Sequence, residues 1–153
     1  MTLLKSAALL LALTSPALTT PALAEEVGRV GVDWVGNDII IDAFADPKVQ
    51  GVTCHIAYFE RSLIDRISNG NWFEDPSFSA VDCAQTGPIV IGDIDPEGEN
   101  VFSERQSLIL KSLKVTRVYD EANRTLLYLA HASEVTQGSG KMSLSAIPVP
   151  AAP

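Results

Sequence analysis

The apolar residues of this chain come in short stretches rich in Val, Ile, Tyr, Phe and Thr, punctuated by Gly, Pro, Asn and Asp. Such runs bury a face as strands, because β-branched and aromatic side chains pack well on a pleated surface and the punctuating residues are those of turns. Val30 to Val35 ends at Gly36-Asn37, and Asp38 to Phe44 meets Asp46-Pro47, which opens a turn by fixing φ and removing a donor. Gly51 is expected to end that turn, with Val52 to Phe59 as the returning strand of a hairpin.

Further along, Val81 to Gln85 and Ile89 to Ile91 read as two short strands separated by Gly87-Pro88. Gly92 to Asn100 reads as an acidic turn. Val101 to Glu104 then leads into a β-prone run from Ser107 to Tyr119. In that run Ile109, Lys111, Leu113, Val115, Arg117 and Tyr119 mostly alternate apolar and basic while the other parity is mixed, a pattern expected of a bulge or a partly two-faced strand. Asp120 to Arg124 has turn chemistry, Thr125 to Ala132 completes a second hairpin, and Ser143 to Val149 is a last strand. One helical spacing stands out, Leu63, Ile64 and Ile67 within Glu60 to Ile67, so a short helix is expected there. About eight strands with turn signals between them predict an all-β fold, an antiparallel sandwich or open barrel carrying one short helix, with a mixed α+β fold as the alternative.

Before this pattern begins, Lys5 precedes the apolar run Ala7 to Leu13, and Ala22-Leu23-Ala24 gives way to Glu25-Glu26. That order of charge, apolar core and small residues is the pattern of a Sec signal peptide cleaved after Ala24. The apolar core falls well short of the roughly 20 residues of a spanning helix. Residues 1–24 are therefore set aside, residues 25–147 are read as one β-rich domain, and 148–153 as a frayed tail. Loss of Lys5 takes the net charge from -8 to -9. With no Lys/Arg cluster, nucleic-acid and anionic-membrane binding lose their usual source of affinity. The predicted address is the periplasm, with no membrane span after cleavage.

Cys54 and Cys83 are the two cysteines of the chain. In an oxidising compartment such a pair is expected to form a disulfide, against the competing readings of a redox pair, a metal site or two free thiols.

Several blocks now resemble the CreA family. They are Phe44-Ala45-Asp46-Pro47-Lys48-Val49-Gln50-Gly51-Val52-Thr53-Cys54, Val81-Asp82-Cys83 with Gln85-Thr86-Gly87-Pro88-Ile89, and Ser107-Leu108 through Lys111-Ser112-Leu113 to Val115, Arg117 and Tyr119-Asp120. Leu127-Tyr128-Leu129 and Ala146-Ile147-Pro148 extend the likeness over nearly the whole chain. The resemblance implies a small exported protein of Gram-negative bacteria and carries over no catalytic residue. This chain departs from the family pattern between Phe59 and Ala80 and near Gln137 to Lys141.

Candidate chemistry is sparse. His55 and His131 are the two histidines, and with Asp42 or Asp82 either could serve a periplasmic hydrolase or metal-dependent enzyme. Asp93, Asp95 and Glu97, with Gly98 and then Glu104, fall at positions 1, 3, 5, 6 and 12 of a calcium-loop template. Pro96 and the absence of helical flanks speak against it. Gly138-Ser139-Gly140-Lys141 lacks the first glycine of a phosphate loop, since Val135 stands in its place. Trp72, Phe73 and Phe78 place three aromatics in a stretch without period, the expected docking loop for a partner protein or small ligand. The reading that results is a non-catalytic binding or accessory module needing no cofactor, with the enzyme as alternative. The two diverge on whether the histidines and a carboxylate share one pocket.

Overall fold

The computed structural model describes residues 24–34, 36–60, 79–105, 112–132 and 142–151, the side chains of Glu104 and Arg105 excepted. Among them every regular element is a strand. β1 is Glu25–Gly31, β2 Asp38–Ala45, β3 Val49–Glu60, β4 Ser79–Ile91, β5 Glu99–Arg105, β6 Ser112–Asp120, β7 Thr125–Ala132 and β8 Ser143–Pro148. Each pairs antiparallel with the strand that follows it, giving one sheet in the order β1-β2-β3-β4 and a second in the order β5-β6-β7-β8. The all-β sandwich expected from the pattern is the architecture found. The helix expected over Glu60 to Ile67 falls outside the described residues, apart from Glu60, which ends β3.

Alternation decides what each strand buries. Ile40, Asp42 and Phe44 of β2, Val52, Cys54 and Ile56 of β3, and Val81 and Cys83 of β4 point inward from the first sheet. Leu113, Val115 and Arg117 of β6, Leu126, Tyr128 and Ala130 of β7, and Ser145 and Ile147 of β8 point inward from the second. The Phe44 and Phe102 rings stack across the interface with centroids 4.8 Å apart. At one corner β4 and β8 meet edge to edge. There the Val81 and Cys83 amides donate to the hydroxyls of Ser143 and Ser145, each at 2.9 Å. Side-chain oxygens thus satisfy an edge whose N–H groups would otherwise lack partners.

Several boundaries differ from the sequence reading, each for a local reason. β1 occupies Glu25–Gly31 instead of starting at Val30, because Arg29 holds Glu26, Asp38 and Glu60 together across β1, β2 and β3 at 2.7–3.0 Å. Gly51 does not end the turn. It lies within β3 at a bulge, with φ of 77°, where an added Cβ would stand 2.4 Å from the Pro88 carbonyl oxygen. Gly87-Pro88 consequently does not divide two strands, and β4 runs through it. A proline is accommodated there because β4 is an edge strand and the register skips past Gly51, from Gln50 opposite Val90 to Val52 opposite Gln85. In the second sheet a register shift lies on β5 between Asn100 and Phe102, and β6 alternates strictly from Ser112 to Arg117; the remainder of the run in which an irregularity was anticipated, 107–111, lies outside the described residues. The tail expected to fray from Pro148 is held at its start, where the Val149 amide donates to the Arg124 carbonyl at 2.7 Å and the Arg124 guanidinium donates to the Pro150 carbonyl.

Candidate functional site

The densest polar constellation sits between the two sheets, where the β2–β3 turn faces β5, β6 and β7. It begins with the turn Asp46-Pro47-Lys48. Pro47 fixes the turn, and Asp46 Oδ1 accepts the backbone amides of Lys48 and Val49 at 2.8 and 3.0 Å. The same carboxylate faces the second sheet. Arg117 Nη1 donates to its two oxygens at 2.6 and 2.8 Å, and the Tyr128 hydroxyl donates to Oδ2 at 2.9 Å. Arg117 Nη2 reaches Glu99 at the start of β5 at 2.5 Å, and the other Glu99 oxygen pairs with Lys48 Nζ. The chain of charges Lys48, Glu99, Arg117, Asp46 therefore balances, two positive against two negative.

Such balance is required here, since the Arg117 and Asp46 side chains have no solvent exposure and an unpaired charge at that depth would cost several kcal/mol. Burial raises the Tyr128 phenol well above the ordinary tyrosine range, reinforced by the Asp46 charge and the bond to it and partly opposed by Arg117. The bond from Lys48 holds the Glu99 carboxyl below the usual glutamate range; desolvation opposes this and the Arg117 charge adds to it. Arg117 Nε is the one buried side-chain polar atom without a partner among the described residues. Chemically this is a latch between sheets. Its donors and acceptors are turned on one another.

Sequence reasoning passed over this latch. Arg117 shares its parity with Leu113 and Val115, and a basic residue on the core parity of a strand needs a buried acid. In the fold that acid is Asp46, before Pro47.

The two cysteines fall directly opposite each other on β3 and β4, with Cα atoms 3.9 Å apart, and are joined as a disulfide. Among the described residues no cysteine is free, so Cys54 and Cys83 offer no thiolate to a metal.

The histidines do not meet. His55 lies between inward-facing Cys54 and Ile56 and so projects from the outer face of the first sheet, opposite Asp82 in register. His131 follows inward-facing Ala130 and projects from the outer face of the second sheet. Its two nitrogens are occupied, Nε2 by the Thr116 hydroxyl and Nδ1 by the Ala132 carbonyl, both at 2.9 Å. A ring protonated at Nδ1 satisfies both contacts. Asp42 points the other way, inward, and accepts from the Tyr58 hydroxyl at 2.8 Å.

The calcium-template residues are also dispersed. Asp95 Oδ1 accepts the Glu97 amide at 3.0 Å, closing a small turn on itself. Glu99–Arg105 is extended strand, with Glu104 in register with Leu113, so the chain does not curl back as position 12 of such a loop must. Among the described residues no three His, Cys, Asp or Glu side chains converge as a metal-binding group. Trp72, Phe73 and Phe78 lie outside the described residues.

Trp34 is 96% exposed at the tip of the β1–β2 hairpin. The loop beneath it is built. Asp33 accepts the Asn37 amide at 3.1 Å and its side-chain Nδ2 at 2.7 Å, the Val32 amide donates to the Asn37 carbonyl at 3.1 Å, and Gly36 takes φ of 90°.

A family model described as CreA protein matches residues 27–152. The proteins named Protein CreA from Escherichia coli K12 and from Escherichia coli O157:H7 are each 40% identical to this chain over 150 residues, covering 92% of it and 94% of the relative. No solved structure matches it.

Proposed function

The chain belongs to the CreA family, and from that premise we propose that it is an exported periplasmic binding or accessory module with no catalytic chemistry of its own. The observation that carries this reading is the separation of the two histidines onto opposite outward faces of the sandwich, which leaves His55 with Asp82 alone opposite it in register and away from inward-facing Asp42, and His131 with both nitrogens engaged. General acid-base or metal chemistry needs those groups within hydrogen-bond reach of one reacting atom. Export is supported by the Lys5, Ala7–Leu13, Ala22-Leu23-Ala24 pattern and by a buried disulfide suited to an oxidising compartment. No helix among the described residues is long and apolar enough to cross a membrane.

Binding falls to loops held by the rigid sheets. Trp34, on its braced hairpin, is the anchor the geometry offers, and Trp72, Phe73 and Phe78 are the anchors the sequence offers. The test combines fractionation with capture. The expressed protein should appear in the osmotic-shock fraction with Glu25 as its N-terminal residue. A partner captured from periplasmic extract should be lost with Trp34→Ala or Trp72→Ala while the melt of each variant is unchanged. Retention of residues 1–24 in the cytoplasm would overturn the export reading. Hydrolase activity abolished by His55→Ala or His131→Ala would overturn the non-catalytic one.

A further inference from the structure

The outer face of the second sheet has its own order. Strand alternation places Lys114, Thr116, Val118 and Asp120 of β6 on it, with Thr125, Leu127, Leu129 and His131 of β7 and Leu144, Ala146 and Pro148 of β8. Register sets these in rungs, Val118–Leu127–Ala146 beside Thr116–Leu129–Leu144 in the middle, Lys114–His131 at one end and Asp120–Thr125–Pro148 at the other. Leu144 is 59% exposed and Met142, just before β8, 69% exposed. An apolar centre with a cation at one end and carboxylates at the other is self-complementary under a two-fold axis that lies parallel to the sheet and runs across its strands.

We propose that this face is where two copies of the chain associate. Rotation about such an axis, running between the Thr116–Leu129–Leu144 and Val118–Leu127–Ala146 rungs, lays each apolar centre on the other. The same rotation brings Lys114 of one copy, about 20 Å along the strand from Asp120, over the turn end of its mate, which carries Asp120, Glu121 and Arg124. That end is net acidic, and Asp120 is fixed there by the Asn123 amide at 3.0 Å and Nδ2 at 2.7 Å. A two-fold axis makes the contact isologous and closed, so association stops at the dimer.

Charge distinguishes this face from the other. The outer face of the first sheet is also rich in Ile, Ala and Phe, but among the described residues its charged groups are Glu25 and Asp82, with His55 and no Lys or Arg. In a chain of net charge -8 two copies meeting there would repel, whereas on the second sheet the ends attract. The three rows cover a patch about 15 Å by 20 Å, below a standard interface, so the dimer is weak and forms with rising concentration.

The experiment is sedimentation velocity on the chain beginning at Glu25, from about 1 to about 500 μM. The wild type should pass from monomer to dimer across that range, and Phe59→Asp, on the first sheet's outer face, should follow it. Leu144→Asp should remain monomeric with an unchanged melting temperature, since the side chain it replaces is already mostly in water. Lys114→Glu should weaken association about tenfold or more, as a like-charge contact replaces an attraction. A wild type that stays monomeric throughout would overturn the proposal and leave the face to a different protein. A Leu144→Asp variant that dimerises like the wild type, or a Phe59→Asp variant that alone fails to, would overturn it as well.

Discussion

Arg117 in β6 grips both carboxylate oxygens of Asp46, 71 residues earlier in the chain, from 2.6 and 2.8 Å, with neither side chain exposed. The contact joins the β2–β3 turn of one sheet to the centre of the other. It makes packing of the sandwich conditional on a matched pair of charges. Replacing such a pair by apolar residues is often tolerated, whereas removing one member strands the other.

Asp46→Ala is therefore expected to cost about 3–5 kcal/mol, because it leaves the Arg117 charge buried and unmatched and also strips the Lys48 and Val49 amides of their acceptor. Arg117→Met should cost a comparable amount, since Asp46 would keep only the Tyr128 hydroxyl and those amides. The double variant should cost clearly less than the two losses together. Urea unfolding of the four proteins in the cycle measures this, and strict additivity would show that the two side chains act independently.

Glu99 sets an acid limit. Its folded carboxyl is held below the ordinary value, first by the bond from Lys48. A depressed folded value means stability that is present above about pH 4.3, the unfolded reference, and lost as pH falls through the folded value. Lys48→Met should move the acid-unfolding midpoint to higher pH. Far-ultraviolet circular dichroism against pH reads the shift, and an unmoved midpoint would mean that the Lys48–Glu99 pair contributes nothing.

The disulfide closes a sequence separation of 29 residues. On the chain-entropy account this is worth about 3.5 kcal/mol. Cys54→Ala with Cys83→Ala should lower stability by about that amount, and native protein should show no titratable thiol until unfolded and reduced. Thiols that react in the native, unreduced protein would contradict the bridge.

Gly51 carries a backbone demand. A Cβ there would stand 2.4 Å from the Pro88 oxygen and 2.7 Å from the Gly87 oxygen, at φ of 77°. Gly51→Ala should cost about 2 kcal/mol or more, through clash and left-handed strain together. Gly31→Ala meets nothing nearer than Asp38 Oδ1 at 3.7 Å and should change the melt little. Equal effects in thermal unfolding would refute the backbone argument.

These residues also mark how far the sequence could be read. Strand positions and the sandwich followed from alternation and turn chemistry, which act over neighbouring residues. The pairing of Cys54 with Cys83 followed from the expected compartment and from count. Gly87-Pro88 looked like a strand boundary because the local rule for proline is strong, and only the edge position of β4 and the Gly51 bulge opposite it, both non-local, override that rule. Arg117 on a core parity was a visible conflict between pattern and charge. Its resolution lay at Asp46, and no short-range signal names a partner 71 positions away. Nor does any short-range signal give the 96% exposure of Trp34, which depends on what the fold leaves uncovered around the hairpin.

Tyr128 supplies an alkaline test of the same latch. Its phenol is buried and donates to Asp46 Oδ2 at 2.9 Å, and burial first, then the Asp46 charge and that bond, raise its ionisation above the ordinary range. A raised folded value means that the stabilising contribution is complete below about pH 10, the unfolded tyrosine reference, and is lost as pH rises toward the folded value. Between those points the folded protein should keep this one phenol protonated. The phenolate absorbance of native wild type should then match that of native Tyr128→Phe, and the two should differ by one tyrosine only after unfolding. Tyr128→Phe itself should cost about 1–3 kcal/mol at neutral pH through the lost bond to a charged acceptor, and its stability should decline less steeply above about pH 10 than that of the wild type. A native Tyr128 that ionises in step with exposed tyrosines would show that the phenol is not sealed within the Asp46–Arg117 latch.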